Sequence, residues 1–147
     1  MAKIPIHAGL FTWPSTQSQL LGSRCDHCGE VAFPAQKSCR ACSGVDTTII
    51  ELGDRGILWS WTIQGFLPKT PYASDETAAT FRPYGVGYIE MPGGVRVESR
   101  LHENQPEQLR IGMAMELVIE PFRVDNDGNE LLTFAFRAES STARRSA

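Results

Sequence analysis

Apolar and polar side chains alternate along much of the chain beyond residue 56, and a period of two is typical of strands with one buried face. Three segments carry this alternation over their full length: 57–63, 95–101 and 113–119. Three more are rich in strand-forming residues: 47–52, 85–91 and 131–137. Helical periodicity is almost absent, so the chain is predicted to be mostly β.

Turn signals separate these segments, and one of them predicts a specific pairing. Pro92-Gly93-Gly94 lies between two good strands, which predicts a hairpin over 85–102. Five or six short strands favour a small closed barrel, because closure removes exposed sheet edges. Within that barrel we interpret Trp59 and Trp61 as core residues rather than as a platform for a ligand.

The first 24 residues form a short leader with too many apolar side chains for a free tail. These side chains are Ile4, Ile6, Leu10, Phe11 and Trp13. Pro14 and Ser15 are expected to open a helical turn that runs through Leu20 and Leu21 and ends at Gly22. Two interpretations stay open: a strap across the body of the protein, or an arm that docks on another protein.

The four cysteines of the chain stand in the spacing C-x2-C-x10-C-x2-C, which is typical of a structural zinc site. They are Cys25, Cys28, Cys39 and Cys42. Gly29 and Gly44 are expected to supply the permissive backbone that each cysteine turn needs. Since four thiolates leave zinc no vacancy, we interpret His27 as a surface residue and the metal as structural rather than catalytic.

Three rival interpretations of the cysteines were weighed. Two disulfides suit a secreted chain, but the N-terminus carries no apolar signal segment. A redox C-x-x-C needs one pair rather than two matched pairs. Iron can occupy four thiolates, and the sequence leaves zinc and iron open.

The segment between the two cysteine pairs, residues 31–34, is predicted to be a short strand ended by proline. A module this small is expected to depend on its metal for folding, and metal binding contributes roughly 10–16 kcal/mol in comparable sites.

Composition and charge set bounds on the partners of the chain. It has 147 residues and 41% apolar residues, enough for one domain with a small attached module. Fourteen basic and seventeen acidic residues give a formal charge of −3, which argues against broad binding of a phosphate backbone. No apolar run reaches the length of a membrane span. Metal-type cysteine spacing without a signal segment points to the reducing cytoplasm.

The longest irregular stretch, residues 67–84, combines aromatic residues and prolines, and a loop of this length is usually functional or disordered. We interpret it either as a lid over the barrel end or as a contact surface for a partner or an acyl ligand. No catalytic constellation is recognisable, because the histidines at 7, 27 and 102 stand in unrelated contexts. No independent active site is therefore predicted.

These patterns divide the chain into four parts. Residues 1–23 form an N-terminal arm with a short helix, and residues 24–46 form the four-cysteine ribbon. Residues 47–138 form the barrel, and the polar residues 139–147 form a disordered tail.

The ordered set of motifs resembles the zinc-ribbon/OB-fold family of proteins associated with acyl-CoA metabolism, over nearly the whole chain. The ribbon part of the resemblance is residues 21–24, Cys25-x-x-Cys28-Gly29, Phe33-Pro34 and Cys39-x-x-Cys42. The barrel part is Gly56-x-Leu58-x-Ser60-x-Thr62, Pro83-Tyr84-x-Val86 and Leu109-Arg110-Ile111-Gly112-Met113. The resemblance implies a rubredoxin-like zinc ribbon followed by a small OB-fold barrel.

The resemblance also implies a role as a non-catalytic accessory subunit. By this resemblance, the chain is expected to be a partner of a thiolase-fold enzyme. Such enzymes are acyltransferases (thiolases) or lyases (aldolases), and they form or cleave carbon–carbon bonds of CoA thioesters. In such a hetero-oligomer the catalytic cysteine belongs to the thiolase-like chain, while the small subunit stabilises it and lines a CoA or acyl channel. On this reasoning we expect partner or CoA contacts at Phe66, Lys69, Tyr72, Phe81 and Tyr84.

Two other functions are left as alternatives. A stand-alone OB module that binds single-stranded nucleic acid needs a basic groove with aromatic residues, and here the positive charges are scattered among acids. An electron carrier with iron in the ribbon predicts a coloured protein. We expect neither a nucleic-acid partner nor a membrane.

Overall fold

The structure, a computed structural model, describes residues 2–69, 77 and 79–139. Its regular elements within that part of the chain are nine strands and one 3-10 turn, Pro106–Gln108. The strands are β1 (Lys3–Pro5), β2 (Leu20–Cys25), β3 (Val31–Ala32), β4 (Thr47–Gly53), β5 (Arg55–Gln64), β6 (Tyr84–Glu90), β7 (Arg96–Leu101), β8 (Ala114–Val124) and β9 (Glu130–Ala138). The mostly β prediction is confirmed. No helix among the described residues has the length and apolar content of a membrane span.

Five strands close into the predicted barrel. Antiparallel ladders join β5 to β6, β6 to β7, β5 to β8 and β8 to β9. A parallel contact between Leu101 of β7 and Phe136 of β9 completes the ring. The hairpin expected around Pro92-Gly93-Gly94 is present, with β6 and β7 paired from Glu90 and Arg96 onward. Closure leaves the inner side chains in a common core.

A separate three-stranded antiparallel sheet carries the cysteine region, in the order β3-β2-β4. The short strand expected over 31–34 is β3, and it pairs with the middle of β2. Strand β4, which our sequence division places with the barrel, pairs with β2 along its whole length. The limits 1–23, 24–46, 47–138 and 139–147 stay a prediction.

One apolar core spans the ribbon and the barrel. Its buried members are Phe11, Leu20, Leu52, Leu58, Ile89, Met91, Val95, Val97, Leu101, Leu109, Met115, Leu132 and Phe136. Ribbon and barrel also meet where Phe33 packs edge-on against Phe134, with ring centroids 5.6 Å apart. The ribbon therefore does not stand apart from the barrel: it shares buried surface with it.

The leader lies against the barrel as a strap, the first of its two interpretations. Strand β1 runs parallel to β9, and Phe11 is buried. The helical turn expected from Pro14 is wrong. The Thr12 N–H instead donates to the Gln19 carbonyl at 2.9 Å, and Leu20 begins β2 in a buried position. Pairing with β4 and burial of Leu20 outweigh a weak helical preference in a segment rich in serine, threonine and glutamine.

The interpretation of Trp59 as a core residue is also wrong. In the first half of β5 the buried positions are Gly56 and Leu58, so Trp59 points outward and is 45% exposed. The ladder with β6 shifts between Leu58 and Ser60, as at a β-bulge, and beyond the shift Trp61 packs against the core. The extra residue at the bulge inverts the alternation, which a strict period of two does not anticipate.

Candidate metal centre

The first cysteine turn extends from the end of β2 and is built from backbone hydrogen bonds. The Cys25 N–H donates to the Glu30 carbonyl at 2.9 Å, and the Gly29 N–H donates to the Cys25 carbonyl at 3.0 Å. Gly29 has a φ of 81°, in the left-handed region that glycine adopts without cost. The turn aims the Cys25 and Cys28 sulfurs toward one point.

The second cysteine turn repeats the first bond for bond. The Cys39 N–H donates to the Gly44 carbonyl at 2.8 Å, and the Ser43 N–H donates to the Cys39 carbonyl at 2.8 Å. Ser43 therefore takes the place that Gly29 has in the first turn, and its φ is 64°. A non-glycine residue in this region carries strain, which the surrounding turn holds in place.

The expectation that Gly44 supplies the left-handed backbone needs correction, because that conformation belongs to Ser43. Gly44 is favoured for a different reason. A Cβ at this position would lie 2.8 Å from His27 Cδ2 and 3.3 Å from Cys42 Sγ. The His27 ring would have to move to admit a side chain, so the second turn packs closely against the first.

The four sulfurs form a compact set that suits one tetrahedral metal ion. All four Sγ atoms lie within 4.8 Å of one another. The Cys25–Cys42 and Cys28–Cys39 pairs are 3.6 and 3.5 Å apart. Zinc–sulfur bonds of about 2.3 Å in a tetrahedron require sulfur–sulfur distances of about 3.8 Å, so the geometry fits. These distances far exceed a disulfide bond of about 2.05 Å, and the cysteines are free.

The electrostatics of the cluster also point to a cation. Backbone N–H groups of Cys28 and His27 donate to the Cys25 sulfur and lower its pKa to about 6. The pKa of Cys28 instead rises to about 12: the Glu30 backbone N–H lowers it, but the adjacent Cys39 sulfur and desolvation raise it more. Without a metal, the Cys25 thiolate forms easily, and its negative charge disfavours deprotonation of the other thiols. A bound divalent cation offsets this repulsion between thiolates, so it suits this donor set.

Polar contacts brace the outside of the first turn. His27 Nε2 lies 3.1 Å from Asp46 Oδ2, and both side chains are mostly exposed. The Thr48 hydroxyl donates to Asp26 at 2.7 Å. His27 therefore faces the carboxylate of Asp46 at the surface, as expected of a residue beside a four-cysteine set. Cys25 and Cys39 are buried while Cys28 and Cys42 are exposed, so the metal position lies close to the surface.

The residues expected to contact CoA or a partner are only partly brought together. Phe81 and Tyr84 have ring centroids 6.0 Å apart, and the Arg100 guanidinium lies 3.6 Å from the Tyr84 ring centroid. Phe66 is 71% exposed, and Lys69 is exposed as well. Tyr72 lies outside the described residues, as does the tail beyond residue 139. The contact role of this set stays a prediction.

Sequence reasoning missed a second aromatic group on the outside of the barrel. Trp59 and Tyr88 have ring centroids 6.3 Å apart, and the Arg96 guanidinium lies 4.0 Å from the Trp59 ring centroid. The available signal was Leu58, an apolar residue in the opposite phase whose burial places Trp59 on the outer side of β5. The bulge decides between the two phases, and it is visible only in the paired strands.

Two family models match the chain in the order that the fold shows. The model described as "ChsH2, rubredoxin-like zinc ribbon domain" matches residues 16–48. The model described as "ChsH2, C-terminal OB-fold domain" matches residues 50–120. Together they cover the cysteine centre and most of the barrel.

Curated proteins with similar sequences span most of this chain. Benzoylsuccinyl-CoA thiolase subunit BbsA of Thauera aromatica is 31% identical over 118 residues, which is 80% of this chain and 75% of that protein. A DUF35 domain-containing scaffold protein of Methanocaldococcus jannaschii is 29% identical over 119 residues, 80% of this chain and 79% of that protein. The similarity runs through both the ribbon and the barrel.

A solved structure shares the fold. The structure described as "Ltp2-ChsH2(DUF35) aldolase" matches with a TM-score of 0.57 and 24% sequence identity, over 82% of this chain and 84% of that one. At this level of identity the likeness concerns the fold. It agrees with a zinc ribbon joined to an OB-fold barrel.

Proposed function

The chain belongs to the ChsH2 family, in which a rubredoxin-like zinc ribbon precedes an OB-fold domain, and on that basis we propose that it is a non-catalytic accessory subunit of a thiolase-like enzyme. The enzyme we propose forms or cleaves a carbon–carbon bond of a CoA thioester. Its catalytic residues belong to the partner chain. We place the complex in the cytoplasm, where reduced cysteines are available for metal binding.

The observation that carries this proposal is the similarity to a named thiolase subunit through both parts of the fold. The relative from Thauera aromatica is 31% identical over 80% of the chain, and its name describes a subunit rather than a whole enzyme. A second relative is described as a scaffold protein. Both descriptions support an assembly role.

Zinc has a structural role in this proposal. Cys25, Cys28, Cys39 and Cys42 are its proposed ligands. When bound, zinc neutralises the thiolates and locks the two cysteine turns together. Four sulfur donors fill a tetrahedral ion, so water or substrate has no open position. Iron in the same sulfurs would make the protein coloured, and a colourless sample with stoichiometric zinc would exclude it.

The proposed contribution of this chain to the complex is stabilisation of the thiolase-like subunit, together with part of the wall of its CoA or acyl channel. Phe81 and Tyr84, with Arg100 stacked on Tyr84, are the proposed channel contacts, since they combine aromatic surface with positive charge. Phe66 and Lys69, both exposed in the residues that follow β5, are proposed to join them.

Co-purification tests the proposal. The complete chain, carrying an affinity tag, is isolated from its own cells under native conditions, and bound proteins are identified and quantified by mass spectrometry. We expect a thiolase-like chain in a fixed stoichiometric ratio. Recovery of the chain alone, or with nucleic acid in place of a protein, would contradict the accessory role.

A further inference from the structure

The outer face of β5, β6 and β7 carries a patch of exposed apolar and aromatic side chains. Ile57 and Trp59 are each 45% exposed and Tyr88 is 42% exposed. The Trp59 and Tyr88 rings meet nearly at right angles, at 83°. We call Ile57, Trp59, Tyr88, Glu90 and Arg96 the Trp59 face.

The strand register explains why these side chains gather. Ile57 pairs with Glu90, and Glu90 pairs with Arg96, so all three lie in one row across the sheet. Tyr88 stands two residues before Glu90 on the same side of β6, next to the bulge that holds Trp59. Since bulges re-aim side chains and recur beside functional sites, the placement of Trp59 is a built feature of this strand.

Arg96 holds two side chains of the patch in place. Its guanidinium lies 4.0 Å from the Trp59 ring centroid, and its Nε lies 3.5 Å from a Glu90 carboxylate oxygen. Tryptophan, tyrosine and arginine are the residue types that dominate the binding energy of protein interfaces. A preformed stack loses little side-chain entropy when a partner covers it.

A cleft of about 540 Å³ adjoins the patch and extends it. Ile57 belongs to both, and the cleft is also lined by Met91, Pro92, Ala114 and the ion pair of Arg55 with Glu139. An apolar cleft beside an aromatic patch offers a pocket for an anchoring side chain of a partner. Interfaces place their strongest contacts in such desolvated pockets.

The charges on this side of the sheet decide between classes of partner. Outward positions of β6 and β7 carry two acids, Glu90 and Glu98, and two arginines, Arg96 and Arg100. The sum is zero. A polyanionic strand needs an excess of positive charge along its path, whereas a neutral apolar protein surface is complementary to this one.

We propose that the Trp59 face and its cleft are the surface on which the thiolase-like catalytic subunit docks, through an apolar, weakly charged patch of that subunit. The proposal rests on the accessory role argued above and adds the location of the interface. The channel contacts lie toward the opposite end of β6, where Tyr84 is the first residue of the strand and Phe81 precedes it.

The test uses the complete chain and the thiolase-like subunit that co-purifies with it. The double variant Trp59→Ser/Tyr88→Ser is compared with the matched control Ile49→Ser/Val124→Ser, whose residues are each 60% exposed outside this face. Zinc content and circular dichroism establish that both are folded. We expect the dissociation constant, measured by biolayer interferometry, to rise at least about tenfold for the first variant only.

A second measurement needs no substitution. Hydroxyl-radical footprinting of the wild-type chain should show slower oxidation of Trp59 and Tyr88 in the complex than in the free chain, with Val124 unchanged. Equal affinity of both double variants, or unprotected Trp59 and Tyr88, would overturn the docking surface while leaving the accessory role intact.

Other outcomes assign the face elsewhere. A chain that binds no thiolase-like protein would overturn both proposals together. A dimer of the chain alone that only the Trp59→Ser/Tyr88→Ser variant dissociates would make the face a contact between copies. Salt-dependent binding of a fifteen-nucleotide oligothymidine that the Trp59→Ser/Tyr88→Ser variant loses would instead make the Trp59 face a nucleic-acid surface.

Discussion

Residues 25–44, around the cysteine centre, bury only two side chains, Cys25 and Cys39, whereas the barrel encloses a continuous set from Leu58 to Phe136. The two regions are similar in backbone order, since both are hydrogen-bonded throughout their turns or ladders. What differs is the source of the free energy. The cysteine turns depend on a metal ion, while the barrel depends on apolar burial.

The two sources of free energy determine how each region tolerates substitution. A metal site acts through four atoms, so loss of one ligand removes the whole contribution. An apolar core distributes its contribution over many contacts, so loss of one side chain removes only a part. Shared burial through Leu20, Leu52 and the Phe33–Phe134 contact couples the regions but does not make them equal.

The largest effect is expected from loss of a metal ligand. Cys28→Ser should lose zinc, lose the order of both cysteine turns and reduce solubility, because three sulfurs no longer close the site. Metal content by mass spectrometry and circular dichroism measure the result. Ser38→Ala, next to Cys39 but not a ligand, is the matched control. A soluble, folded and metal-free Cys28→Ser protein would show that the metal is not structural.

A core truncation in the barrel should have a smaller effect of a different kind. Phe136→Ala removes a fully buried ring and should lower the free energy of unfolding by about 3–5 kcal/mol. Zinc should remain bound in the folded protein. Urea unfolding measures the loss, with the exposed Phe66→Ala as control. Release of zinc under native conditions would show that the cysteine turns depend on the packing of the barrel as well as on the metal.

Substitution of Gly56 should destabilise the barrel more than substitution of a glycine that has open space around it. A Cβ on Gly56 would lie 2.4 Å from Ile89 Cγ2 and 2.9 Å from the Glu90 carbonyl. Gly56→Ala should therefore cost about 1–3 kcal/mol through overpacking. Gly65→Ala, where nothing lies within 4 Å of the added atom, is the control for thermal unfolding. Equal melting temperatures would refute the tight packing at β5.

The smallest effects compare the two cysteine turns with each other. Gly29 and Ser43 hold equivalent left-handed positions. Gly29→Ala should destabilise the protein by about 1 kcal/mol, and Ser43→Gly should stabilise it by a similar or smaller amount. Thermal unfolding of the zinc-loaded protein measures both. Changes of the same sign at the two positions would contradict the equivalence of the turns.

Local signals account for what could be predicted from the sequence. The cysteine spacing specifies its own geometry, because two intervening residues suffice to aim a pair of sulfurs. The alternation over 95–101 matches the buried positions in and just before β7, and in the segment 113–119 Met115 is fully buried within β8. Pro92-Gly93-Gly94 specifies the turn of its hairpin within three residues. In each case the responsible interactions lie close together in the chain.

Features that depend on distant partners could not be predicted. The Trp59 side chain points outward because of a bulge that exists only in the pairing of β5 with β6. Leu20 and Leu21 form a strand because residues of β4, thirty or more positions later, pair with them. The left-handed backbone at Ser43 is imposed by the hydrogen bonds of its turn, so searching for glycines found the wrong residue.

We propose above that this chain supports a thiolase-like enzyme without catalysing its reaction. The most direct test titrates the zinc-loaded chain into its isolated thiolase-like partner and measures turnover of the partner's CoA thioester. We expect the turnover and the thermal half-life of the partner to rise until a fixed stoichiometric ratio is reached, and the chain alone to have no activity. Turnover by the chain alone, or a partner whose rate and half-life are unchanged, would contradict the proposal.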